Sequence, residues 1–79
     1  MSMAKEPVLL DAKGLRCPLP VLKARKALKA MAAGQVLRIL STDPGAIKDF
    51  EAFCKTAGYR LLRQEQADDV LTTEIEKTF

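Results

Sequence analysis

The chain has 79 residues, of which 48% are hydrophobic and 29% charged, with a formal net charge of +3 and no histidine. That length suits one small domain over residues 1–79 with a thin core, the composition is not that of a disordered tail, and no apolar run approaches the roughly 18 residues of a membrane span. The opening "MSMAKEPVLL" lacks the long apolar stretch of a signal peptide, so a cytoplasmic protein with no direct membrane binding is expected.

Taken in chain order, "PVLLD" (7–11) reads as a short buried strand and "AKGLR" as a loop bending at Gly14. A helix is predicted from Pro18 to Ala33, with Gly34 as its C-terminal cap. "QVLRILST" (35–42) is a second strand, rich in Val, Leu and Ile. A second helix is predicted from Pro44 to Ala57, begun by an Asp43 N-cap with proline at the first helical position and closed by Gly58. "YRLLRQE" (59–65) is a third strand, "QADD" a turn, and "VLTTEIEKTF" (70–79) a fourth strand with one wet face. The last two strands make a hairpin and pair antiparallel, whereas the first two are joined through a helix and pair parallel. The expected fold is α/β (α+β): a two-layer sandwich of β-α-β-α-β-β order, with two amphipathic helices on one face of a mixed four-stranded sheet.

Helical periodicity sorts the side chains further. Val21, Ala24, Ala27, Leu28 and Met31 form the core stripe of the first helix, and Lys23, Arg25, Lys26 and Lys29 fill the other side. Leu19 and Leu22 fall outside the stripe, among the lysines. Apolar residues ringed by positive charge suit partner docking, although a solvated face with two scattered apolar residues reads the same way. On the second helix Ala46, Ile47, Phe50, Phe53, Cys54 and Ala57 share one face, which makes Cys54 a core residue. From Ala12 to Thr42 there are seven basic residues and no acidic one, while Asp43 to Phe79 holds eight acidic and five basic residues. The first half therefore presents a cationic surface suited to an acidic protein partner or RNA.

The stretch "GLRCPLPVLKARKALK" (14–29) holds the chemistry. The first four N–H groups of a helix have no internal partner, so Pro18 and Pro20 in the first turn cost little and stiffen it. Cys17 then sits at or next to the N-cap beside Arg16, where the helix dipole and the guanidinium are expected to favour thiolate, with the Leu19 N–H free to point at the sulfur. Dithiol redox chemistry wants a second cysteine nearby, and position 20 is proline; a cysteine hydrolase wants a histidine base, and there is none. Two cysteines 37 positions apart make a poor zinc site, so no metal and no cofactor are expected. Covalent carriage survives: the thiolate attacks a donor's persulfide, keeps the outer sulfur and hands it on.

"LDAKGLRCPLPVLKARKAL" (10–28), with its Cys-Pro-X-Pro at Cys17 to Pro20, and "STDPGAIKDF" (41–50) make the chain resemble the TusA/SirA-like sulfur carrier proteins over nearly its whole length. The resemblance implies a persulfide on Cys17 supported by Arg16, Pro18 and Pro20. It also implies sulfur received from a cysteine desulfurase or rhodanese-type donor and delivered to a downstream sulfur-relay acceptor. The family's outlets include 2-thiolation of tRNA, sulfur oxidation and molybdenum cofactor assembly. Such a chain is a covalent carrier with sulfurtransferase-like activity more than a free-standing enzyme. Leu19, Leu22, Lys23 and Lys26 are the candidate partner-docking residues. The competing readings are a small RNA-binding module, disfavoured because the first helix lacks aromatic residues for base stacking, and a redox-regulatory thiol domain.

Overall fold

Alternating burial writes the sheet. In β2 (Val36–Ser41), Leu37, Ile39 and Ser41 are fully buried, while Val36, Arg38 and Leu40 are half-exposed. In β4 (Val70–Glu76), Leu71, Thr73 and Ile75 are buried in the same rhythm. The computed structural model describes residues 7–79, so the expectation of no leader at the start of the chain lies largely outside the described residues. The other elements are β1 (Val8–Ala12), α1 (Leu19–Lys29), α2 (Ala46–Ala57) and β3 (Arg60–Ala67), giving the expected β-α-β-α-β-β order.

The strands lie in the order β1-β2-β4-β3. β1 and β2 are parallel, with Leu10 opposite Ile39, and β4 runs antiparallel to both β2 and β3. Both helices lie on the face carrying Leu37, Ile39, Leu71 and Ile75, where Ala12, Ala24, Leu28, Ala46, Phe50 and Cys54 complete the core. The other face carries charge: Arg38 and Arg63 each donate to Glu74, at 2.8 and 3.0 Å.

Several features differ from the sequence reading: β4, expected to run to Phe79, ends at Glu76, and β1, expected to be buried, exposes Val8 and Leu9. α1 ends at Lys29, with Ala30 as its cap, and not at Gly34. The Ala30 and Met31 N–H groups bond to Ala27 and Leu28 carbonyls, tightening the last turn. The Ala32 N–H then goes to Gln35 Oε1 at 2.7 Å and the Gly34 N–H to the Lys77 carbonyl at 2.7 Å, so the donors a longer helix would need are committed to the loop. Gly34, at φ 93°, turns the chain into β2. α2 begins at Ala46, after an N-cap at Gly45 that makes no side-chain bond, so Asp43 is not its cap. Instead the Asp43 backbone carbonyl accepts from the Ala46 N–H at 3.0 Å. β3 continues to Ala67, which shortens the predicted four-residue turn to Asp68 and Asp69. Gly58 closes α2 as expected, left-handed at φ 87° with its N–H on the Cys54 carbonyl.

Candidate functional site

Parallel pairing brings the site together. Because β1 and β2 run the same way, the loops that follow them emerge at the same edge of the sheet. The first loop carries Cys17 into α1, and the second carries Asp43 into α2. The Gly14 N–H donates to Thr42 Oγ1 at 2.9 Å and ties the two loops together. At the end of β1 the Asp11 carboxylate takes both the Lys13 N–H and the Lys13 ammonium, each at 3.0 Å. Both contacts hold the Asp11 carboxyl below the usual range, the backbone bond foremost.

The two prolines do different work. Pro18 is the N-cap of α1 and is exposed, and the Cys17–Pro18 peptide is cis. Pro20 is fully buried at the second helical position, so it anchors the turn as well as stiffening it. The Leu19 N–H is not free for the sulfur. It donates to the Arg16 carbonyl at 2.8 Å, closing the turn that presents Cys17. Arg16 therefore supports the site through its backbone.

Cys17 is exposed. Its surroundings reverse the electrostatic expectation. The Cys17 Sγ, an Asp43 carboxylate oxygen and an Asp49 carboxylate oxygen all lie within 4.8 Å of one another. The Cys17 thiol is pushed up from its ordinary value, first by hydrogen bonding to Asp49, then by desolvation and by the charges of Asp49 and Asp43. The helix-dipole reading of a depressed thiol is thus corrected: carboxylates from the second helix and its entry loop oppose the thiolate. The Asp43 carboxylate has one oxygen, Oδ2, that is buried without a hydrogen-bond partner among the described residues. The Cys17–Asp43–Asp49 grouping was invisible to a metal reading based on the two cysteines alone.

A groove between α1 and α2 opens from this corner. Its first part, about 370 Å³, is lined by Cys17, Pro18, Val21, Asp49, Ala52, Phe53 and Thr56. Its second part, about 340 Å³, shares Val21, Phe53 and Thr56 and adds Leu22, Arg25 and Ala57. Of the docking candidates, Leu22 lines the groove and is 49% exposed, while Leu19 is 47% exposed outside it. Lys23 and Lys26 are exposed on the neighbouring helix surface and do not line it. Asp43, Asp49 and Phe53 escaped sequence reasoning as site residues: the first has the pattern of an N-cap, the third the spacing of a core residue, and only the parallel pairing shows that they meet Cys17. The second cysteine, Cys54, is buried in the core as expected, its thiol pushed up to about 11 by burial.

Residues 8–77 match the model of the family described as "Sulfurtransferase TusA". The chain is 54% identical over 57 residues to the sulfur carrier protein TusA of Allochromatium vinosum, a span of 72% of this chain and 75% of that one. A Neisseria meningitidis serogroup A relative is 51% identical over 67 residues, covering 85% and 90% of the two chains. The crystal structure of the SirA-like protein from Desulfitobacterium hafniense superposes with a TM-score of 0.79 at 27% identity, covering 91% of this chain and 99% of that one.

Proposed function

The chain belongs to the TusA sulfurtransferase family and is a sulfur carrier, and from that premise we propose that Cys17 is the atom-bearing residue of the carrier domain, holding the transferred sulfur as a persulfide. The observation that carries this reading is the contrast between its two cysteines. Cys17 is exposed at the mouth of a groove on a proline-held turn, whereas Cys54 is buried in the core. A group that must be received from one protein and given to another has to be reachable by both.

The step is a thiol–persulfide exchange. Cys17 attacks the outer sulfur of the donor's persulfide, the donor's S–S bond breaks as the new one forms, and the donor leaves as a thiol. No oxidant or reductant is consumed. A cysteine desulfurase or a rhodanese-type protein fits the donor's role, and a relay protein fits the acceptor's, with tRNA 2-thiolation one outlet of such a relay. Leu22 and the groove floor offer the partner apolar contact, and Lys23 and Lys26 beside them offer charge steering.

The test uses a cysteine desulfurase with L-cysteine radiolabelled in its sulfur. Label is expected on the wild type and on Cys54→Ser, released by a thiol reductant, and absent from Cys17→Ser. Reversing charge with Lys23→Glu and Lys26→Glu is expected to slow loading several-fold at low salt without changing the label held at saturation. Label on Cys17→Ser, or none on the wild type, contradicts the assignment. An unchanged loading rate for the charge reversals reduces the cationic face to a solvated surface.

A further inference from the structure

The corner that holds Cys17 contains more negative charge than a thiol needs. Two carboxylates, from different segments, share a space within 4.8 Å of the sulfur, and neither is there as a cap of α2. The Asp43 Oδ2 is buried and has no hydrogen-bond partner among the described residues. The charges that oppose a thiolate at Cys17 are those of Asp49 and Asp43.

We propose that Asp49 and Asp43 are positioning residues that disfavour the loaded form of the carrier, so that the sulfur on Cys17 is held weakly and directed away from α2, poised for hand-over. This rests on the reading that Cys17 bears the sulfur. Loading exchanges a neutral Cys17 thiol for a persulfide. A persulfide is a stronger acid than its parent thiol, so at neutral pH the outer sulfur carries the charge as Cys17–S–S⁻. Starting from an anionic donor persulfide, the Cys17 proton ends on the departing donor thiol, one S–S bond breaks as another forms, and charge is conserved overall. At the carrier, however, one negative charge has arrived beside two others. The Asp49 carboxylate, with an oxygen within 4.8 Å of the sulfur, tolerates the neutral thiol of the unloaded form and is opposed by the anionic sulfur of the loaded one. The unloaded state is therefore favoured, and the outer sulfur is repelled from the carboxylates toward the exposed side. A carrier with a lone thiol in neutral surroundings has neither bias.

The experiment measures an equilibrium, and so separates this role from docking. Full-length wild type, Asp49→Asn, Asp49→Glu and Asp43→Asn are each brought to equilibrium with mixtures of glutathione persulfide and glutathione near neutral pH, and the loaded fraction is read from intact mass. Asp49→Asn is expected to raise the loading constant roughly three- to ten-fold, the size of one charge at this range in a largely aqueous setting. Asp43→Asn is expected to raise it less, Asp49→Glu to stay near wild type, and the Asn effect to shrink as salt is added. The asparagine is nearly the shape of aspartate, and unchanged circular dichroism confirms the fold; Asp43→Asn gives a second reading should Asp49→Asn fold poorly. A loading constant unchanged or lowered in Asp49→Asn and Asp43→Asn overturns the proposal while leaving the persulfide on Cys17 intact. A wild type that takes no sulfur on Cys17 removes the carrier assignment and this proposal with it.

Discussion

At Cys17 the opposing charges arrive from α2 and the loop that enters it. Arg16 is its neighbour in the chain, yet Asp49 and Asp43 set the thiol's behaviour, and they raise its pKa. The sign of the consequence is definite. A thiol alkylates through its thiolate, so wild-type alkylation by iodoacetamide is expected to climb with pH to an inflection above that of an ordinary cysteine. Asp49→Asn removes the strongest cause and moves the inflection down. At a pH below both inflections the thiolate fraction rises about ten-fold for each ten-fold increase in the acidity of the thiol, so the variant alkylates several-fold faster there. An Asp49→Asn inflection at or above wild type would show that the acidic pair does not control the sulfur. The exposed placement of Cys17 was legible in the sequence, because Cys-Pro-X-Pro puts it in the loop at the head of an amphipathic helix. The thiol's electrostatics were not legible: Asp49 lies 32 positions away, and only the β1–β2 pairing places it beside the sulfur.

The elements were readable wherever period and punctuation agreed. β2 and β4 alternate cleanly, and α2 keeps its apolar face and ends on Gly58, so their type and order follow from the chain. The ends of α1 were less readable. Ala30, Ala32 and Ala33 are good helix formers, and Gly34 looks like a cap, but the loop's bonds to Gln35 and Lys77 override propensity. Helix α2 locks the site to the core through Phe50, which is fully buried and one residue past Asp49. Phe50→Ala should cost about 3–5 kcal/mol by removing a large buried side chain. In a domain stabilised by roughly 5–15 kcal/mol that is a large fraction, and the midpoint of urea unfolding should fall accordingly. A cost below about 1 kcal/mol would mean that α2 is not anchored as described.

For the molecule as a whole, the two faces of the sheet have separate duties. One takes both helices and the core. The other is finished with an Arg38–Glu74–Arg63 cluster, extended by Arg63 to Glu65, which gives that face charge in place of a second layer. Arg63 and Arg38 hold the Glu74 carboxyl below its usual range against the opposing effect of burial. A depressed carboxyl contributes stability above its unfolded pKa and loses it as the pH falls through the folded one. Glu74→Gln is accordingly expected to lower the thermal midpoint by a few degrees at neutral pH. The gap should close as the pH drops through and below the carboxylate range, where wild-type Glu74 is protonated too. A gap independent of pH would assign the loss to packing and not to charge. The charge asymmetry of the sequence is also not kept in space. The basic half supplies the outer surface of α1, while Asp43 and Asp49 from the acidic half come to the thiol, so the cationic face adjoins the reactive corner without containing it.

The central claim is that one of two cysteines carries the sulfur, and intact mass tests it most directly. Wild type, Cys17→Ser and Cys54→Ser are each incubated with a cysteine desulfurase and L-cysteine, separated from the donor and weighed. A gain of one sulfur atom, reversed by a thiol reductant, is predicted for the wild type and for Cys54→Ser and not for Cys17→Ser. Sulfur retained by Cys17→Ser and lost from Cys54→Ser would contradict the account.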